Sequence, residues 1–140
     1  MSKDMDPTSV LEVGPYRVPL SLDSDVLDRR DFHTGNTLIL HDADDTPWPI
    51  EDKKYDLVIA TQVWEHLKRP CEAFAEVQRV SRSAILTFPY MWTSGSKSHR
   101  DIDEKRIIEI TTGKGGPTAV LYYIPPGRKA RATFVWGFYD

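Results

Sequence analysis

An apolar run at residues 55–60 (YDLVIA) limits the folds open to this chain. A strand that is apolar on both faces is typical of a parallel sheet covered by other elements, whereas a half-exposed strand alternates apolar and polar residues. Shorter β-branched or apolar runs that end at turn residues predict four more strands, at residues 10–13, 25–28, 37–41 and 83–88. The first half of the chain is therefore predicted to form most of a parallel sheet.

Helical spacing occurs twice in the second half of the chain. One helix is predicted to begin at Pro70, since proline suits a first helical position, and its apolar stripe consists of Ala73, Phe74, Val77 and Val80. A second helix is predicted to be capped by Asp101 and to end at Gly113. Residues 118–124 and 130–138 predict an antiparallel hairpin. The sequence thus predicts one α/β domain over residues 1–140, an open, mostly parallel Rossmann-like sheet with a C-terminal antiparallel hairpin.

The composition indicates a soluble globular protein, with 40% hydrophobic and 28% charged residues. The apolar runs are too short to span a membrane, and the N-terminal residues lack the apolar stretch of a secretory signal. A single cysteine, Cys71, excludes an internal disulfide and fits a reducing compartment, so we expect a cytoplasmic location. The net charge of −3 argues against nucleic acid as a partner.

Four segments occur in the order and spacing of a known protein family. Residues 10–14 (VLEVG) are a predicted strand and its turn, and the segment ends with an acidic residue, an apolar residue and a glycine. Residues 41–49 read HDADDTPWP. Residues 55–67 read YDLVIATQVWEHL, and residues 76–89 run from a helix into a strand that stops at proline. Together these segments resemble the class I, S-adenosylmethionine-dependent methyltransferases, as a short member similar to the type 11 group. The resemblance implies S-adenosylmethionine as cofactor and methyl transfer to a small-molecule acceptor.

The resemblance also implies a cofactor site at the carboxyl ends of the strands, where ligands of such sheets bind. Gly14 has no Cβ and lets a ligand approach the backbone closely. Asp28 is expected to accept hydrogen bonds from the ribose hydroxyls and Asp42 from the adenine amino group, while the Ala43 amide donates to the ring. Aspartates that follow strands are also common turn formers. The expected cofactor-binding residues are Glu12, Gly14, Asp28, Asp42, Ala43, Thr61 and Gln62, the last two beside the methionine part.

His66 is the candidate catalytic residue, because an imidazole beside the methyl group can act as a general base toward a hydroxyl acceptor. The alternative is that Glu65 and His66 brace the loop after the strand. His99 follows the predicted fifth strand and is expected, with Tyr90 and Trp92, to line the acceptor pocket or to lie in a solvated charge cluster. No cysteine–histidine cluster has metal-ligand spacing, so the sequence predicts no metal site.

The turn after the first predicted strand departs from the family pattern. Most members have three glycines there, whereas this chain has Gly14 followed by Pro15. The connections at residues 14–25 and 29–36 are too short for crossover helices, so helices are predicted to be missing from one sheet face. These losses support an alternative function, a degenerate, non-catalytic domain of this fold that serves as a binding or regulatory subunit.

A parallel sheet with one bare face needs a cover in water. A second copy of the chain is the simplest cover, so we expect a homodimer. Its interface is expected to use Tyr16, Val18, Leu20, Leu22 and Phe32, which lie in segments too short to form a core of their own. The alternative is that the N-terminal residues or the C-terminal hairpin cover the face within one chain.

Overall fold

The computed structural model describes residues 9–15, 19–21, 23–32, 35–93, 97–111, 116–126 and 129–138. They form one seven-stranded sheet with the order β3-β2-β1-β4-β5-β7-β6. The strands are β1 (Val10–Val13), β2 (Asp25–Asp28), β3 (Thr37–Leu40), β4 (Leu57–Thr61), β5 (Ser83–Tyr90), β6 (Ala119–Tyr123) and β7 (Ala130–Gly137). β1 to β5 are parallel, and β7 runs antiparallel to both β5 and β6. The predicted fold class is confirmed.

In the part of the chain that the structure describes, two α-helices follow β4 and β5: α1 (Pro70–Val80) and α2 (Glu104–Thr111). α1 begins at the predicted proline and ends at Val80, the last residue of the predicted apolar stripe. The expected cap of α2 at Asp101 is wrong. Asp103 caps this helix, since its carboxylate accepts a hydrogen bond from the Arg106 amide at 2.9 Å, whereas Asp101 has a left-handed backbone (φ 58°) two residues earlier.

The hydrophobic core lies on one side of the sheet, here called the first sheet face. Alternate strand residues point to it and are buried, and α1 and α2 pack on it with their apolar stripes. The contact is direct, because the ring of Phe74 on α1 lies 4.9 Å from the ring of Trp136 on β7, centroid to centroid. Burial of these large side chains holds both helices against the sheet. The fully buried strand residues of this face include Leu11, Val58, Leu86, Phe88 and Phe134.

The opposite side, here called the second sheet face, is less well covered. Ile59, Ile85 and Val135 lie in one row across the sheet and are only half-buried. Leu40 and Leu121 on the two edge strands remain 63% and 62% exposed. None of the described residues between β1 and β4 is helical, which agrees with the predicted loss of crossover helices. No helix among the described residues has the length and apolar character needed to cross a membrane.

Candidate functional site

A cavity of about 970 Å³ opens at the carboxyl ends of the parallel strands. It lies where the strand order reverses: the chain leaves β1 toward β2 and β3 on one side, and β4 and β5 follow on the other. Ligands of open α/β sheets bind at this point, because loops from strands of both halves diverge there. The volume is that of an ordinary small-molecule site.

Gly14 forms the turn at the end of β1. Its backbone is left-handed (φ 61°), and its amide donates a hydrogen bond to the Leu27 carbonyl at the end of β2, at 2.8 Å. A Cβ added at this position would lie 3.1 Å from a methyl carbon of Val63. The dihedral angle favours glycine here, and any other residue would need Val63 to shift slightly. The backbone of β1 consequently approaches the cavity as the sequence predicts.

Asp28 ends β2 and lines the cavity, although it is only 9% exposed. One carboxylate oxygen accepts a hydrogen bond from the Arg30 amide at 3.2 Å, and the Asp28 carbonyl accepts from the His41 amide at 2.9 Å. The second bond joins the residue that follows β3 to the end of β2. The Arg30 amide therefore holds the Asp28 side chain at the cavity wall, and the His41 amide holds its backbone.

Asp42 and Ala43 lie in the turn after β3, and both line the cavity. The Asp42 carboxylate accepts a hydrogen bond from the Asp44 amide at 2.9 Å, which makes this residue a turn former as well as a lining residue. The indole of Trp48, itself buried, donates to the Ala43 carbonyl at 3.0 Å. The expected adenine-binding turn is thus anchored to the core.

Thr61 and Gln62 end β4 and line the cavity on its other side. Gln62 has a left-handed backbone (φ 55°), and its amide donates to the Thr87 carbonyl of β5 at 2.8 Å. A non-glycine residue in this conformation is uncommon and is kept there by the surrounding structure.

Glu12 is the expected cofactor residue that does not line the cavity. Its side chain points to the second sheet face and is almost fully buried. The carboxylate accepts hydrogen bonds from the Leu20 amide at 2.7 Å, the Ser21 amide at 3.2 Å and the Ser24 hydroxyl. These contacts order the connection between β1 and β2. Six of the seven expected residues lie at one cavity, and their role in cofactor binding stays a prediction.

Comparison with known proteins agrees with this arrangement. Residues 18–84, just under half of the chain, match a family model described as a methyltransferase domain. The N-methyltransferase NodS from Bradyrhizobium japonicum, solved with S-adenosyl-L-homocysteine, superposes with a TM-score of 0.70 at 11% identity, over 95% of this chain and 79% of that one. The fold is that of class I methyltransferases. The resemblance indicated by the sequence motifs is confirmed.

Two further solved structures share this fold. The 1,6-didemethyltoxoflavin-N1-methyltransferase from Burkholderia thailandensis has a TM-score of 0.69 at 10% identity, over 96% of this chain and 72% of that one. The [4+2]-cyclase SpnF has a TM-score of 0.62 at 14% identity, over 82% of this chain. This chain spans 53% of the cyclase's length. No curated protein sequence matches the chain significantly.

Beside this cavity, Glu65, His66 and His99 form a cluster that the sequence did not reveal. Glu65 and His66 lie in a short 3-10 helix after β4 (Trp64–His66), and His99 ends another after β5 (Lys97–His99). The two Nε2 atoms are 2.8 Å apart, and each lies 3.6 Å from Oε2 of Glu65. Burial raises the pKa of the Glu65 carboxyl to about 7. Burial, and then the charge of His99, lowers the pKa of His66.

Both histidines of this cluster line the cavity. His99 thus lines the cavity, whereas Tyr90 and Trp92 do not, and a role of His99 in acceptor binding stays a prediction. The Tyr90 hydroxyl donates to the Glu104 carboxylate at 2.7 Å, and the Trp92 ring packs against His99 at 5.4 Å. The lining residues that sequence analysis missed include Arg29, His41, Asp44, Thr87 and Arg131.

Proposed function

We propose that this chain binds S-adenosylmethionine in the cavity and transfers its methyl group to a small-molecule acceptor. One observation carries the proposal: six of the expected residues, which lie at the ends of four different strands, line one cavity. This cavity lies where the strand order reverses in a methyltransferase fold. Two of the similar structures named above were solved with S-adenosylhomocysteine, the product of the cofactor. Fold similarity does not fix the reaction, so the chemistry is argued from the lining residues.

In this proposal the adenosine part lies along β2 and β3. Asp28 accepts hydrogen bonds from the ribose hydroxyls, and the turn of Asp42 and Ala43 contacts the adenine ring. Thr61 and Gln62 face the methionine part from the end of β4. The sulfonium of the bound cofactor supplies the methyl group and a good leaving group.

The chain's own task is then to hold the acceptor in line with the methyl carbon, which can supply much of the acceleration. A bond forms from the acceptor's oxygen or nitrogen to the methyl carbon as the carbon–sulfur bond breaks. His66 lies in the cavity wall and is the proposed base that takes the acceptor's proton. The acceptor side is the part of the cavity near His66, His99 and Arg131.

Calorimetric titration with S-adenosylhomocysteine tests the cofactor proposal. We expect binding that weakens at least tenfold, or about 1.4 kcal/mol, on Asp28→Ala or on Asp42→Ala. Asp45→Ala is the matched control, because Asp45 is an exposed carboxylate in the same loop that does not line the cavity. An intact protein that shows no binding at millimolar ligand would remove the enzyme proposal and favour the non-catalytic alternative. Equal losses in all three variants would point to a general charge effect.

The non-catalytic alternative is a domain of this fold that acts as a binding or regulatory subunit. It is favoured by Pro15, which has no backbone N–H to offer a ligand at the turn after β1. One assay distinguishes the catalytic proposal from the non-catalytic alternative. A chain that binds S-adenosylhomocysteine but never consumes S-adenosylmethionine with any acceptor supports the alternative.

We also propose that a second copy of the chain covers the second sheet face. Leu20 supports this, since it is 67% exposed and its amide is bonded to Glu12 on that face. Phe32, another expected interface residue, is half-buried, and Tyr16, Val18 and Leu22 lie outside the described residues. An obligate interface would bury about 2,000 Å² in total.

Sedimentation equilibrium at micromolar concentration checks the dimer. We expect twice the chain mass of 16.0 kDa, and Leu20→Asp should dissociate the dimer or unfold the chain. Ile108→Asp is the matched control, because Ile108 is an exposed apolar residue on α2, which packs on the first sheet face. A stable, folded monomer of the unmodified chain contradicts the proposal.

A further inference from the structure

The carboxylate of Glu65 is buried beside the cavity and has no hydrogen-bond partner among the described residues. Its side chain is 1% exposed, and neither oxygen accepts a hydrogen bond from any residue that the structure describes. Burying a carboxylate without a donor or a counter-charge costs several kcal/mol. Most buried polar groups avoid this cost through a partner, so an orphaned carboxylate indicates a missing cation or donor.

Two imidazole nitrogens lie next to this carboxylate. Nε2 of His66 and Nε2 of His99 are each 3.6 Å from Oε2 of Glu65, too far for a good hydrogen bond to the carboxylate. They lie 2.8 Å from each other, so in the absence of an ion one ring donates to the other. That imidazole pair uses both nitrogens and leaves Glu65 unsatisfied. A contact between the two histidines alone does not account for the buried acid.

The three donor atoms are spaced as metal ligands are. Donors about 2.1 Å from a common ion lie roughly 2.8–3.6 Å apart when the angles at the ion are about 85–120°. The observed separations are 2.8 Å between the nitrogens and 3.6 Å from each nitrogen to the carboxylate. A single ion placed between them would satisfy all three groups at once.

We propose that Glu65, His66 and His99 bind one divalent transition-metal ion at the acceptor side of the cavity. Two imidazoles and one carboxylate suit Zn²⁺ or Fe²⁺, and a hard, oxygen-preferring cation such as Mg²⁺ fits them poorly. Three protein ligands leave a coordination position open, as in catalytic rather than structural sites. Both histidines line the cavity, so the open position faces it. An acceptor that carries an oxygen or nitrogen donor can bind there.

Binding of the ion does not depend on the cofactor, so the test needs neither S-adenosylmethionine nor an acceptor. The full chain is titrated with Zn²⁺ alone by calorimetry, and with Co²⁺ alone by visible absorption, which reports the geometry of the donor set. The experiments are run in a Cys71→Ser background, because Cys71 is exposed and a thiolate is a strong zinc ligand. We expect one ion per chain.

Three variants assign the ligands. Glu65→Gln and His99→Ala should each weaken Zn²⁺ binding at least about tenfold, since even indirect changes at metal sites typically cost that much. His41→Ala is the matched control and should bind Zn²⁺ unchanged. His41 also lines the cavity, but its Nε2 lies 2.6 Å from the Asp45 carbonyl and outside the cluster. Circular dichroism confirms that each variant is folded, and Glu65→Gln preserves the side-chain shape.

Three outcomes overturn the proposal. The first is that the folded Cys71→Ser chain does not bind Zn²⁺ at about 100 μM. This concentration is far above the dissociation constant expected of a built zinc site. The second is binding that persists in both Glu65→Gln and His99→Ala. The third is binding that His41→Ala abolishes, because the ion would then lie elsewhere in the cavity. S-adenosylhomocysteine binding measured on the same samples keeps this result separate from the cofactor proposal.

Discussion

Replacing His66 with alanine is expected to lower the rate of methyl transfer about 10²–10⁴-fold, the usual contribution of a general base. His66 is half-exposed at the cavity wall, with a side-chain exposure of 45%, so an acceptor bound in the cavity can contact its ring. The residues proposed to bind the cofactor lie on other turns, so the affinity for S-adenosylhomocysteine should stay unchanged. The rate is measured as the release of S-adenosylhomocysteine in the presence of an acceptor that the protein methylates.

A chelator distinguishes the two roles proposed for His66. If the imidazole acts directly as a base, the unmodified chain keeps its rate after dialysis against a chelator. If His66 acts as a ligand to an ion, the chelator lowers the rate as far as His66→Ala does. His41→Ala serves again as a control at the cavity wall. An unchanged rate for His66→Ala across the pH range contradicts both roles and leaves the histidine with a structural one.

Replacing Trp64 with alanine is expected to remove about 3–5 kcal/mol from the free energy of unfolding, the usual cost of deleting a buried tryptophan. Trp64 is 1% exposed, and its indole donates to the Pro70 carbonyl at the start of α1, at 2.9 Å. Its ring meets the edge of Phe74 on the same helix at 6.5 Å. The side chain therefore fixes α1 to the short helix that carries Glu65 and His66.

Urea unfolding measures this loss. Trp64→Phe is the matched control, because it keeps an aromatic ring beside Phe74. It loses the indole hydrogen bond, which should lower the free energy of unfolding by about 1 kcal/mol. Since ordinary domains have only about 5–15 kcal/mol of stability, the alanine variant should be close to unfolding at 37 °C. A loss below about 1 kcal/mol for Trp64→Ala would show that the pocket collapses around the smaller side chain. Trp64 would then contribute little to holding α1 against the short helix that carries Glu65 and His66.

The strands and α1 were predictable because their signals are local. The run at residues 55–60 and the apolar stripe from Ala73 to Val80 each specify an element without reference to the rest of the chain. The observed β4 begins two residues later than predicted, since Tyr55 makes only an isolated bridge to Ser81. The cap of α2 was misplaced because Asp101 and Asp103 are equally good caps by residue type, and only the backbone decides between them.

The cavity lining was predictable at strand ends, where Gly14 and Asp42 lie in motif segments and Asp28 ends a predicted strand. It was not predictable where two distant loops meet. His66 and His99 are separated by 33 residues in the sequence. They come together because β4 and β5 are neighbouring parallel strands, and the loops that follow them leave the sheet at the same carboxyl end. A histidine in each of the loops after two adjacent parallel strands was the available signal. Arg131 reaches the cavity through β7, whose position beside β5 depends on the whole sheet.

The turn after β1 has a consequence for how a charged ligand is held. The Gly14 amide is committed to the Leu27 carbonyl, and Pro15 has no N–H, so this part of the turn offers no donor to a carboxylate. Among the described lining residues, the permanent positive charges are those of Arg29 and Arg131, and both are exposed. Attraction between exposed charges is screened within about 8–10 Å at physiological ionic strength. In the proposed function, the electrostatic attraction of the cofactor's carboxylate into the cavity therefore weakens as the salt concentration rises, unlike hydrogen bonds from buried backbone amides.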